Sequence, residues 1–249
     1  ALPEKKTGMI GLFEFQQAKA LNDAGNEVHY IYLDSRSFKV NRRIKKTEMT
    51  IEGVRIHGLM FPLGGIPEPF FSKIKSCIYI KLLKKIFNET GIPNVVHIHF
   101  PLLSITPDVW EFLKDSGLQT KECKSLGYNL FVTEHWTAVQ EKKINVRRLK
   151  FLKKIYRESK QFICVSQLLK MSVQELCGGD KDVPVVPNMV ADYFYYIGLI
   201  KHDGFRFVSA GRLVEVKGFD LLIDAFTNAF RGNEAVTLTI VGRGKLMNS

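Results

Sequence analysis

Arg212 and Lys217 stand five positions apart in SAGRLVEVKGFDLL (209–222), each next to a glycine, between a β-branched run and an amphipathic one. That order predicts strand, turn and helix. Free backbone N–H groups at a helix start favour an anion, and Gly211 and Gly218 allow the backbone to approach it closely. Arginine adds a planar fork of donors and lysine a mobile point charge, a pair that suits a diphosphate better than a single carboxylate. Two surface cations in a polar loop are the plainer alternative. His135 in VTEHWT (132–137) is a second candidate, because it falls at a predicted strand end; a lone histidine is more often structural. Trp136 beside it either shapes a pocket or packs. His97 and His99 alternate on one face of another predicted strand and read as packed sheet residues, with only His99 close enough to the strand's C-terminal end to reach a cleft.

The elements that must position these residues follow a regular rhythm. Short β-branched runs at 27–33, 95–100, 129–135, 161–166, 205–211 and 236–242 alternate with helical patterns at 12–24, 78–89, 107–116, 147–159 and 219–230. This predicts βαβ units and parallel sheets in a doubly wound α/β architecture. Two prolines frame a short extended piece in DVPVVPNMVADYFYYIGLIKHDG (182–204), where no long helix fits. Residues 1–185 are therefore expected to form one Rossmann-like domain, 186–203 a linker, and 204–249 the start of a second. The first helix follows a loop instead of a strand, so the first domain is expected to lack its first strand. Strand, helix and strand are too few to close a doubly wound sheet, so the second domain is expected to be incomplete.

The net charge of +11 over 249 residues is concentrated in two segments. Residues 72–91 carry a net +4 and residues 142–160 a net +8, both with apolar residues at roughly helical spacing. Such helices either pack an apolar stripe on their own sheet with the bases in water, or lie on an anionic membrane surface. Nucleic acid is the weakest option, because no helix-turn-helix, RNA-binding aromatic pair or zinc finger accompanies the charge. The four cysteines are widely spaced without a Cys-x-x-Cys pair, which argues against zinc and against a disulfide framework and for buried, reduced thiols. No apolar run is long enough for a membrane span, and the N-terminus lacks a signal-peptide layout. A cytoplasmic protein, peripheral on the inner membrane face if the basic helices bind it, is the expectation.

The run FVSAGRLVEVKGFDLLIDAFTNAF…VTLTIVGRGKL resembles the start of the C-terminal domain in retaining GT-B glycosyltransferases of family 4. FICVSQLLKMSVQEL, VVPNMV, VTEHWT and GLFEFQQAKALNDAGNEV resemble, in the expected order, the family's last N-domain strand with its helix, its interdomain Pro-Asn segment, its histidine-bearing loop and its first helix. The resemblance implies a GT-B fold and transfer of a sugar, with retention, from a nucleotide-sugar to a glycan or lipid-linked acceptor, without a metal. It also implies that Arg212 and Lys217 hold the donor diphosphate and that His135 contacts the donor sugar near the reacting carbon. Gly11 falls where the family has a glycine-rich turn facing the donor, although Gly8 and Gly11 are separated instead of paired. Two family glutamates that bind ribose and sit near the sugar would fall beyond Ser249. A non-catalytic truncated fragment and a GT-B-fold nucleotide-sugar epimerase are the alternatives.

Overall fold

A computed structural model of the chain describes residues 11–37, 43–64, 70–116, 128–179, 181–191, 194–198 and 203–248. The chain divides into two compact units, 1–192 and 193–249. The first unit runs α1 (Leu12–Asp23), β1 (His29–Ser37), β2 (Lys45–Ile51), β3 (Val54–Gly64), α2 (Phe70–Thr90), β4 (Val95–His99), α3 (Pro101–Ser104), α4 (Pro107–Ser116), β5 (Asn129–Glu134), α5 (Thr137–Gln140), α6 (Val146–Glu158), β6 (Gln161–Cys164) and α7 (Gln167–Cys177). The second contains β7 (Phe205–Ala210), α8 (Phe219–Phe230) and β8 (Val236–Val241).

The α/β class with parallel sheets is the one observed. Strands β4, β5 and β6 lie side by side and parallel, with β5 in the middle, and their register brings His99 opposite Thr133 and Glu134 opposite Cys164. Parallel strands end on one edge, so the ends of three strands collect their last residues in one place. Helices cover this sheet through apolar stripes. On α6, Phe151, Leu152, Ile155 and Tyr156 are buried while Arg147, Lys150, Lys153 and Arg157 face water, so the packing reading of this basic helix describes its structure. The same core takes Leu82, Leu83 and Ile86 from α2 and Trp110 from α4, whose indole N–H donates to Glu158 Oε2 at 2.8 Å. Ser166 caps α7 by accepting from the Leu169 N–H at 3.2 Å, which starts the helix directly after β6.

Two sequence expectations change. The rhythm of βαβ units names no strand over 45–64, yet β2 and β3 form an antiparallel hairpin, and β3 then pairs parallel with β1. The turn is Glu52-Gly53, with φ of 48° and 80°. Both positions need the left-handed region, which Asn-Gly or Asp-Gly would have announced and Glu-Gly does not. Second, the thiols are not uniformly buried: Cys164 is, Cys177 is half-buried, and Cys77 is exposed on α2, while Cys123 lies outside the described residues. The expected lack of a strand ahead of α1 also falls outside them, on residues 1–10.

In the second unit β7 and β8 are parallel and α8 crosses between them. Phe207 on β7 meets Phe226 and Phe230 of α8 at centroid distances of 5.9 and 5.6 Å. Beyond β8, the Leu213 N–H donates to the Arg243 carbonyl at 3.0 Å, and the Gly211 N–H to the Val241 carbonyl at 2.9 Å. A side chain at Gly242 or Gly244 would run into the backbone carbonyls of Gly211 and Leu213, so glycine is what lets the two strand-end loops lie together.

Candidate functional site

His135 stands where β5 leaves the sheet. Around it a cleft of about 110 Å³ is lined by Thr133, by Ile163 and Val165 from the end of β6, by the 186–189 segment with Asn188, and by Phe13 and Gln17 of α1. Gly11, at φ 79°, precedes α1 and accepts from the Phe15 N–H at 3.0 Å. The structure therefore brings the helix that Gly11 opens and the histidine of β5 to one cleft. Gly8 lies outside the described residues.

The imidazole of His135 is held on two sides. Its Nε2 is 3.0 Å from Nδ1 of His99, and its ring stacks on Phe100 at a centroid distance of 4.5 Å and 19° between planes. Phe100 adopts φ 49°, a left-handed conformation that costs a non-glycine residue on the order of 1–3 kcal/mol and collects at functional sites. Its N–H donates to the Thr133 carbonyl at 3.1 Å, which locks it against the end of β5. His97 reaches Thr133 Oγ1 at 2.7 Å and its ring lies 4.3 Å from that of His99. Trp136 is half-buried against the core with the Arg148 guanidinium 4.7 Å over its ring, so it packs and also joins the loop to α6.

Burial sets the charge of this cluster. It pushes His97 down to about 4, His99 to about 2 and His135 to about 4, with the neighbouring imidazoles adding to the shift of His99 and that of His97 to the shift of His135. The Asn188 side chain beside His135 partly offsets its shift, although His135 Nδ1 is buried with no hydrogen bond of good geometry. All three rings are neutral at pH 7, so each can donate through one nitrogen and accept at the other. Such a group can hydrogen-bond a hydroxyl without bringing charge.

Arg212 and Lys217 stand in the second unit. Arg212 is exposed in the loop after β7, and Lys217 ends a short 3₁₀ turn, Glu215–Lys217, immediately before Gly218 and α8. Both therefore sit at the C-terminal edge of a parallel pair, next to a helix start, as their spacing predicts. Arg243, which the sequence reading passed over, occupies the loop hydrogen-bonded to that of Arg212.

The model of Glycosyltransferase Family 4 matches residues 15–192, which is most of the chain and holds β5, His135 and the 186–189 segment. The chain belongs to Glycosyltransferase Family 4. Both units carry parallel strands with helices between them, the α/β class that the resemblance implies. Among solved structures, the crystal structure of TarM is similar at 14% identity and a TM-score of 0.44, over 70% of this chain and 32% of that one. This chain thus spans about a third of TarM's length. A comparison with curated proteins finds no match.

For a Family 4 chain, several residues in or beside this cleft escaped sequence reasoning. Glu134 had a signal: a carboxylate on a strand whose other inward positions are apolar, immediately before the candidate histidine. Phe100 had none, since an aromatic residue gives no hint of a left-handed backbone. Asn188 lies in the Pro-Asn segment VVPNMV, but its place beside His135 required the chain to return to the ends of β5 and β6. Among the described residues no group of three His, Cys, Asp or Glu side chains could hold a metal ion, and no helix is long and apolar enough to cross a membrane.

Proposed function

We propose that the protein transfers a hexose-type sugar from a nucleoside-diphosphate-sugar to a sugar or lipid-linked acceptor, with retained anomeric configuration, in the assembly of a glycan or polysaccharide. The observation that carries this reading is the neutral, ring-stacked His135 in a strand-end cleft of a Family 4 chain. An uncharged imidazole suits the hydroxyl-rich sugar, and Arg212 and Lys217 suit the diphosphate. As the sugar–phosphate bond breaks, negative charge grows on the leaving nucleoside diphosphate, and fixed cations stabilise it. With two cations in place, no metal is called for. The test measures transfer and nucleoside-diphosphate binding with the full-length protein and its Arg212→Ala variant. Equal binding to the variant removes Arg212 from the donor site.

A peripheral contact with an anionic membrane, on its cytoplasmic side, fits the same reading through 72–91 and 142–160. Because α6 turns its apolar stripe inward, such a contact is electrostatic, with exposed bases such as Lys150, Lys153 and Arg157 supplying it. Binding to anionic vesicles is then expected at low salt and lost as the Debye length shrinks toward 3 Å at about 1 M salt. Vesicle binding that ignores salt argues for insertion, and no binding at low salt removes the membrane from the reading.

A further inference from the structure

Glu134 ends β5 with no exposed surface, and its Oε1 accepts the backbone N–H groups of both His135 and Trp136 at 2.9 Å. These are the first two residues past the strand, where the sheet no longer supplies acceptors, so the carboxyl satisfies two donors at once. Its Oε2 is buried with no hydrogen-bond partner. A half-satisfied buried carboxyl costs stability, and a shorter polar side chain or a turn could have satisfied a donor at less cost. Placement next to His135 gives that cost a use.

We propose that Glu134 is the positioning residue of the cleft: by holding the N–H groups of His135 and Trp136 on one oxygen, it sets where the imidazole and the indole stand. The proposal rests on the reading of His135 as a substrate-contacting residue, but the clamp has its own readout. An ionised carboxylate accepts roughly twice as strongly as a neutral acceptor, so the clamp is tighter when Glu134 is charged. Burial pushes this carboxyl up to about 7, against the two N–H bonds that pull it down. The titratable groups around it are few. Cys164 is paired across on β6, its thiol pushed up to about 12 by burial and by Glu134, and Lys170 and Cys177 of α7 act on that thiol. His135 follows on the chain, and His97 and His99 of β4 belong to the other face of the sheet, all three neutral at pH 7. Glu134 is therefore the member of this set whose charge changes near pH 7, and raising the pH through that point tightens the loop.

Trp136 reports the clamp directly. Its emission, taken as the difference between the protein and a Trp136→Phe variant to remove Trp110, is expected to titrate with a midpoint near 7. In Glu134→Gln, which keeps a neutral acceptor, that titration disappears. In Glu134→Ala, amide exchange at His135 and Trp136 is expected to rise by about ten-fold, the loss of roughly one net hydrogen bond, and kcat to fall while nucleoside-diphosphate binding holds. A titration that persists in Glu134→Gln, or unchanged exchange at these two amides in Glu134→Ala, overturns the proposal. If Glu134→Ala does not fold, the Glu134→Gln titration decides alone. Should His135→Ala leave transfer intact, the reading of the cleft falls, while the Trp136 titration still judges the clamp.

Discussion

The two strand-end loops that carry the candidate residues solve different problems. In the first unit, the end of β5 is enclosed: Glu134 is fully buried, His135 lies against Phe100 and His99, and burial keeps the histidines neutral. In the second, the loop after β7 leaves Arg212 and Lys217 in water, held by glycine-permitted contact with the loop after β8. Enclosure suits a site that must place a neutral ligand accurately, since hydrogen bonds gain strength and direction in low dielectric. Exposed, fully charged groups suit a ligand that arrives with its own charge. One fold device, the C-terminal edge of parallel strands, yields a neutral or a charged cluster according to how deeply the loop is covered.

Removing the charges should break the comparison most visibly. Arg212→Ala or Lys217→Ala is expected to lower kcat of the full-length protein by about 10²–10³, the usual loss when one charge-stabilising donor is removed, as measured by steady-state transfer. Stability should respond only on the enclosed side. Ile155→Ala is expected to cost about 2–5 kcal/mol by urea unfolding, because Ile155 has no exposed surface. Val208→Ala in β7, at 69% exposure, is expected to stay within about 0.5 kcal/mol. His135→Ala is expected to reduce transfer by roughly 10² through lost positioning, with much less effect on nucleoside-diphosphate binding; equal losses in both would merge the two sites into one role.

The pH dependence separates the regions more finely. His97, His99 and His135 have folded values depressed below the ordinary 6.5, so their neutral forms contribute stability that is present above 6.5 and lost as pH falls toward 4. Glu134 works in the opposite sense, because its raised value favours the folded state most at low pH and this advantage fades from 4.5 to about 7. Each group contributes at most about 1.4 kcal/mol per pH unit. Three histidines outweigh one carboxyl, so urea midpoints should drop between pH 6.5 and 5, and Glu134→Gln should make the drop steeper. The smallest expected effect is that of EDTA on transfer, which should be nil if Arg212 and Lys217 neutralise the diphosphate without a metal; a loss restored by divalent ions would break that assignment.

Much of the secondary structure of both units was legible in the sequence because periodicity reports burial. The boundaries of α4 and α8 coincide with the predicted spans, and β4, β5 and β6 end within two residues of theirs. The hairpin of β2 and β3 was not legible, since its Glu52-Gly53 turn lacks the usual residues and β2 is exposed at most positions. For the site, Arg212, Lys217 and His135 could be named because charge and imidazole are rare enough to stand out at a strand end. Phe100 and Asn188 could not, because their relevance lies in what they face.

The sequence by itself determined the alternation of strands and helices, the family, and the residue types available at each strand end. These are local properties, set by the spacing of apolar side chains and by turn chemistry. Only the tertiary structure decided that His99, Phe100 and Glu134 converge on His135, and that the cluster is neutral. Register between parallel strands and exclusion of water arise from chain segments far apart in sequence, and no window along the chain contains them.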